Sequence, residues 1–129
     1  MSEVEHFGSC HCGAIKWKVF GPKIIQCIKC NCSICYKKQN HHFIVSKTRF
    51  TLLEGEDMLT TYTFNTGVAK HMFCKKCGVQ SFYHPRSNPG DVGIMPHCID
   101  SPTVEKIEFS TFDGQNWEQE MTTKAPQAY

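Results

Sequence analysis

Eight of the nine cysteines in this chain fall into three tight clusters, and no other feature limits the possible folds as strongly. G-S-C-H-C-G at 8–13 holds Cys10 and Cys12. C-I-K-C-N-C-S-I-C at 27–35 holds Cys27, Cys30, Cys32 and Cys35. C-K-K-C-G at 74–78 holds Cys74 and Cys77, and Cys98 stands alone in H-C-I-D. An odd number of cysteines cannot pair completely. The opening M-S-E-V-E-H-F has no apolar core of a secretory signal, so the expected compartment is the cytosol or the nucleus, where thiols stay reduced. Metal binding is then the reading that such clusters favour.

Spacing sorts the candidate ligands. Residues two apart in an extended strand point to one face, so Cys10 with Cys12, and Cys30 with Cys32, can each reach one metal. A C-x-x-C pair needs a tight turn. Gly78 can take the left-handed conformation that turns backbone amides toward the sulfurs of Cys74 and Cys77. Cys32–Cys35 is a second such pair, and Cys27–Cys30, followed by Asn31, a third. Structural zinc takes four protein ligands, whereas catalytic zinc commonly takes three and keeps an open position. Two assemblies satisfy these rules. In one, Cys10, Cys12, Cys74 and Cys77 close a structural site, and Cys30, Cys32 and Cys35 form an open one. In the other, Cys27 joins the second set and both sites are closed. Spacing alone does not choose between them.

The rest of the chain reads as short strands. A-I-K-W-K-V-F alternates Ile15, Trp17 and Val19 with lysines, the period of a half-buried strand. H-F-I-V-S (42–46), R-F-T-L-L-E-G (49–55), L-T-T-Y-T-F-N (59–65), A-K-H-M-F (69–73), G-V-Q-S-F-Y-H (78–84), D-V-G-I-M-P-H (91–97) and T-V-E-K-I-E-F-S-T-F (103–112) continue the series between Gly and Pro punctuators. I-C-Y-K-K-Q (34–39) reads as a short helical turn, and G-Q-N-W (114–117) as a hairpin turn before a packed Trp. The expected fold class is all-β, in one domain spanning 1–129 with its core at about 6–120 and a flexible tail at 121–129. No apolar run approaches the ~20 residues of a membrane span, so no membrane is expected. The net charge of +2 comes with only two lysine pairs, Lys37-Lys38 and Lys75-Lys76, which read as solvated turns. Nucleic acid is therefore not an expected partner.

The order G-S-C-H-C-G, then C-x-C-x-x-C at 30–35, then F-C-x-x-C-G at 73–78, resembles the glutathione-dependent formaldehyde-activating enzyme family, also called the centromere protein V family. The stretches C-N-C-S-I-C-Y-K-K-Q-N-H-H-F-I-V-S-K-T-R-F-T-L-L and F-C-K-K-C-G-V-Q-S-F-Y-H-P-R-S-N-P-G are similar to its centromere protein V branch. The resemblance runs from about Gly8 to the last strand. It implies a β-tent (Mss4-like) fold and the first of the two assemblies: a structural zinc on Cys10, Cys12, Cys74 and Cys77, and a second, open zinc on Cys30, Cys32 and Cys35, two Zn²⁺ per chain. Cys27 lies outside the family motif. It stands an odd three residues from Cys30, so in a regular strand it faces away, and three ligands with one bystander are expected.

Three thiolates on Zn²⁺ leave a net charge near −1, poorly suited to making hydroxide from water and better suited to holding a fourth sulfur. A thiol bound there loses its proton yet stays nucleophilic at neutral pH. The resemblance thus implies carbon–sulfur lyase-type chemistry on glutathione or a related small thiol, with Cys30, Cys32 and Cys35 as the catalytic zinc ligands and S-hydroxymethylglutathione as the named adduct. Arg86 has the fork geometry to hold a substrate carboxylate, against the plain reading of a loop arginine. His41 and His42 read as a strand-edge pair, one inward and one solvated. His11 is expected at the surface, and His71, His84 and His97 as structural or exposed. Phe73, Phe82 and Tyr83 are expected around the closed site, and Cys98 as a buried apolar residue. The competing function is a non-catalytic, zinc-stabilised module for protein or chromatin contacts. The absence of a basic or Pro-rich extension in this sequence weighs against it.

Overall fold

A computed structural model describes residues 3–129. Three small sheets make up the frame. The first orders β1 (Glu3–Ser9), β2 (Lys16–Pro22) and β5 (Phe50–Glu54) side by side, all antiparallel. The second, with five strands, orders β10 (Lys106–Phe112), β3 (Ile24–Cys30), β4 (His41–Val45), β9 (Val92–Ile94) and β8 (Phe82–Tyr83). Its pairs are antiparallel except β10 with β3, which run parallel with Cys30 opposite Phe112. The third is the hairpin of β6 (Leu59–Tyr62) and β7 (His71–Cys74). Two short helices complete the chain, α1 (Ser33–Lys38) and α2 (Trp117–Lys124). The frame is all-β, as expected.

Alternation decides which faces are buried. On β2, Trp17 and Val19 are sealed in the core while Lys16 and Phe20 face out. The Trp17 indole N–H donates to Ser81 Oγ at 2.9 Å, so its one polar atom is satisfied. On β4, His42 through Val45 are all buried, because this strand is central in its sheet and covered on both faces. Ile15, Trp17, Val19, Ile25, Phe43, Val45, Phe82, Val92 and Ile94 form one core together with the sulfurs of Cys10 and Cys74.

Three elements depart from the sequence expectation. β1 inverts the usual pattern. Apolar Phe7 faces out, while His6 is sealed inside, bonded through Nδ1 to Thr103 Oγ1 at 2.6 Å and through Nε2 to the Pro22 carbonyl at 2.9 Å. β3 runs into the cysteine-rich stretch and carries Ile25 and Cys27 inward, so ligand residues and strand residues share one segment. The G-Q-N-W stretch is a 3-10 turn at Gly114–Asn116 that runs directly into α2.

The stretch expected as a flexible tail, 121–129, is in part helical and in part docked. Residues 117–124 are helical, and the chain then docks on β4. Tyr129 N–H donates to the Ile44 carbonyl at 2.8 Å, the Tyr129 carbonyl accepts from Ser46 at 3.1 Å, and the Tyr129 ring packs on Phe43 at 6.0 Å. Its hydroxyl accepts from the Gln26 amide at 3.1 Å. Tyr129→Ala removes this ring packing and one hydrogen bond. The expected cost is about 1–3 kcal/mol, measured by urea unfolding with an unchanged m-value.

Candidate metal centres and pocket

The two cysteine sets come together as the first assembly requires. The sulfurs of Cys10, Cys12, Cys74 and Cys77 lie within 4.8 Å of one another, and so do those of Cys30, Cys32 and Cys35. Cys12 Sγ is 3.7 Å from both Cys10 Sγ and Cys74 Sγ. Four thiolates placed tetrahedrally at zinc–sulfur bond length would stand about 3.8 Å apart, so the donor set fits such an ion.

Each half of the four-cysteine set is a turn. Cys10 follows the end of β1, and Gly13, at φ 81°, lets the chain fold back so that Gly13 N–H donates to the Cys10 carbonyl at 3.2 Å. Ile15 N–H then donates to Cys10 Sγ at 3.3 Å. Cys74 ends β7, and Gly78, at φ 77°, plays the same part, donating to the Cys74 carbonyl at 2.8 Å. The amides of Lys76 and Cys77 point at Cys74 Sγ from 3.4 and 3.5 Å. Amides aimed at sulfur favour the thiolate that a metal needs. The expectation for Gly78 therefore holds, but Cys10 and Cys12 are not on an extended strand. A turn brings them together and joins the first sheet to the β6–β7 hairpin.

The three-cysteine set also differs in detail from its expected geometry. β3 stops at Cys30. Cys32 is the residue before α1, and Cys35 sits on the first turn of that helix. Cys30 and Cys32 thus meet at a strand–helix junction rather than along one strand face. Cys27 does not join the set. It points to the opposite side of β3 from Cys30, is fully buried, and is pushed up to about 12 by that burial.

The three thiols are electrostatically unequal. Cys32 is held down to about 2, first by hydrogen bonding from Cys30 and Cys35 and then by the amides of Cys35 and Ile34. Neither amide closes a full capping bond on the sulfur, so the neighbouring thiols dominate. Cys30 is pushed up to about 11 by sharing a proton with Cys32, and Cys35 is raised further by both neighbours and by burial. Without a cation the three sulfurs share protons, and their mutual hydrogen bonds favour the thiolate at Cys32 over its neighbours. A metal must displace the remaining protons, so its affinity falls with acid.

Gly114 closes one side of this set. A Cβ there would stand 2.6 Å from Cys30 Sγ and 2.6 Å from Cys32 Cβ, closer than real Cβ atoms come. The chain leaving β10 is held at this point by Asn31 N–H to the Phe112 carbonyl at 3.2 Å and Gln115 N–H to Asn31 Oδ1 at 3.2 Å. Gly114→Ala is expected to spread the three sulfurs and lower metal content by one ion per chain while the four-cysteine site stays filled. Metal analysis of the purified variant checks this.

All three cysteines open on a cavity of about 450 Å³. His42, Tyr83, His71, Phe64, Arg86, Trp117 and Phe112 are among the residues that line it. Arg86 is there because its guanidinium stacks on the Trp117 ring at 3.7 Å from the centroid, a contact that fixes the planar fork without using its donors. Tyr83, expected around the four-cysteine site, lines this cavity instead. Phe82 does sit in the core, 4.8 Å from Phe50. His41 is half-buried outside the cavity and His42 sealed within, the pairing expected of them. Burial pushes His42 down to about 4, so it is neutral at neutral pH. His11 is exposed, as is His97. His84 Nδ1 bonds to the Asp91 carbonyl at 2.9 Å, and half-buried Cys98 packs on the core.

The sequence profile described as glutathione-dependent formaldehyde-activating enzyme matches residues 5–115. The chain belongs to the glutathione-dependent formaldehyde-activating enzyme family. A crystal structure of a Rhodobacter sphaeroides protein, solved as a structural-genomics target, is similar at a TM-score of 0.67 and 26% identity, covering 83% of this chain and all of that one. Membership accounts for the order of the cysteine clusters, and the small sheets joined at cysteine turns agree with the β-tent fold that the resemblance implied. The family match stops at residue 115, just past Gly114, so α2 and its Trp117 lie beyond it. Among the described residues, no helix is long and apolar enough to cross a membrane.

Proposed function

We propose that the protein is a zinc-dependent carbon–sulfur lyase-type enzyme acting on glutathione or a related thiol adduct, in the manner of an S-hydroxymethylglutathione synthase. One observation carries this reading. A set of three cysteines, with Cys27 turned away, faces a cavity large enough for a small peptide thiol. The four-cysteine set offers all four ligands, with Cys10 and Cys74 buried, and serves as the structural zinc site; the three-cysteine set holds the second zinc.

Zinc held by Cys30, Cys32 and Cys35 supplies the charge that keeps a substrate thiol deprotonated. The protein supplies the remainder. Arg86, braced by Trp117, offers two parallel N–H donors to a substrate carboxylate and orients the peptide part of the thiol. Phe64, Phe112 and Trp117 line the cavity with apolar surface, which limits water around the reacting carbon. Bond formation and bond cleavage use the same constellation, so a set of S-substituted glutathiones tests the function directly. Release of free thiol from at least one of them, dependent on metal and lost in Cys32→Ser, is the expected result. No release from any, with both metal sites filled, would overturn the reading.

A further inference from the structure

Three rings that line the cavity form a cluster with one unused polar group. Tyr83 is buried, its ring edge-on to His42 at 5.0 Å and stacked on His71 at 5.1 Å with 26° between planes. His42 Nδ1 lies 3.1 Å from the Asn40 carbonyl, which can only accept, so Nδ1 carries the proton. The Tyr83 hydroxyl then donates to His42 Nε2 at 3.0 Å, and both groups are satisfied. His71 differs. It is 2% exposed and lines the cavity, wedged between Tyr83 and Phe64, whose ring is 5.8 Å away. Its Nδ1 is sealed with no partner, and its ring makes no hydrogen bond to any described residue. An orphaned buried N–H is rarer than an orphaned acceptor, which puts the proton on Nε2. Burial lowers its pKa, so the imidazole is neutral with one donor to offer.

We infer that His71 is a substrate-contacting residue whose Nε2–H donates a hydrogen bond to the oxygen on the carbon joined to the substrate sulfur, selecting thiol adducts that carry an oxygen there. This rests on the function proposed above. In bond formation the sulfur gives an electron pair to the carbonyl carbon and the C=O π pair moves onto oxygen. That oxygen takes a proton from solvent, which had received the thiol proton. In cleavage the hydroxyl proton returns to solvent and the sulfur leaves with the bonding pair. His71 keeps its own proton and stabilises the charge that builds on oxygen.

The test is competition binding on the zinc-loaded protein with glutathione, S-acetylglutathione and S-ethylglutathione, which differ at that carbon. Wild type is expected to favour the acetyl over the ethyl compound by about tenfold, one hydrogen bond. His71→Phe should lose this preference, read as the ratio of acetyl to ethyl affinity, and His71→Gln, which keeps a donor, should retain part of it. An unchanged preference in a folded His71→Phe, or none in wild type that binds glutathione, overturns the inference. If His71→Phe does not fold, an unchanged 15N shift of the His71 ring in wild type on adding S-acetylglutathione overturns it equally. Wild type that binds none of the three overturns the proposed function itself, and the inference with it.

Discussion

Cys74→Ser is expected to leave no stably folded protein. Cys74 is sealed from solvent, receives two backbone amides at its sulfur and belongs to the core that also holds Trp17, Phe43 and Phe82. It also joins the β6–β7 hairpin to the turn between β1 and β2. Serine offers a hard oxygen in place of a soft thiolate. Structural zinc contributes roughly 10–16 kcal/mol of apparent binding energy in small zinc-folded peptides, whereas a domain's net stability is about 5–15 kcal/mol. Losing half of the first, about 5–8 kcal/mol, would cancel a net stability in the lower part of the second range. Far-UV circular dichroism and thermal melting should show no cooperative transition, and most of the chain should be insoluble.

Cys30→Ser should behave in the opposite way. Cys30 lies at the open end of β3, is half-buried and contributes nothing to the main core. The β3–β10 and β3–β4 pairings remain, so the melting transition should survive with a shift of a few degrees. Thiol release should fall by more than about a hundredfold, since even residues that merely support a metal ligand cost 10–100-fold when removed. Serine is a poor ligand for a metal chosen by sulfur. A stable, inactive Cys30 variant beside an unfolded Cys74 variant separates the two sites by role. Equal loss of stability in both would mean that the three-cysteine set is structural as well.

Much of this architecture is legible in the residues. Alternation along A-I-K-W-K-V-F gives β2, turn residues bracket β5, β6 and β7, and the odd spacing of Cys27 from Cys30 anticipates their opposite faces. The misses have physical causes. β1 buries His6 and exposes Phe7, because partners distant in sequence, Thr103 and Pro22, satisfy the imidazole. Gly114 carries no local signal for its role, since its constraint is the sulfur of a residue 84 positions earlier in the chain, on the parallel neighbour of the strand just before it. Tyr83 reads as a core residue near C-K-K-C-G, yet the β8–β9 and β4–β9 pairings carry it across to His42; His71, read as structural or exposed, is buried and stacks on it. The tail looked frayed because A-P-Q-A-Y has no periodicity. It is held by backbone bonds to β4 and one terminal tyrosine.

The central claim is that one metal site is closed and the other accepts a thiol. Cobalt substitution followed by glutathione titration tests it most directly, because the absorption of cobalt reports its ligand set. A saturable change in the spectrum, complete at one glutathione per chain and absent in Cys30→Ser, is the predicted result. A spectrum that glutathione leaves unchanged, with both sites loaded, would contradict the account.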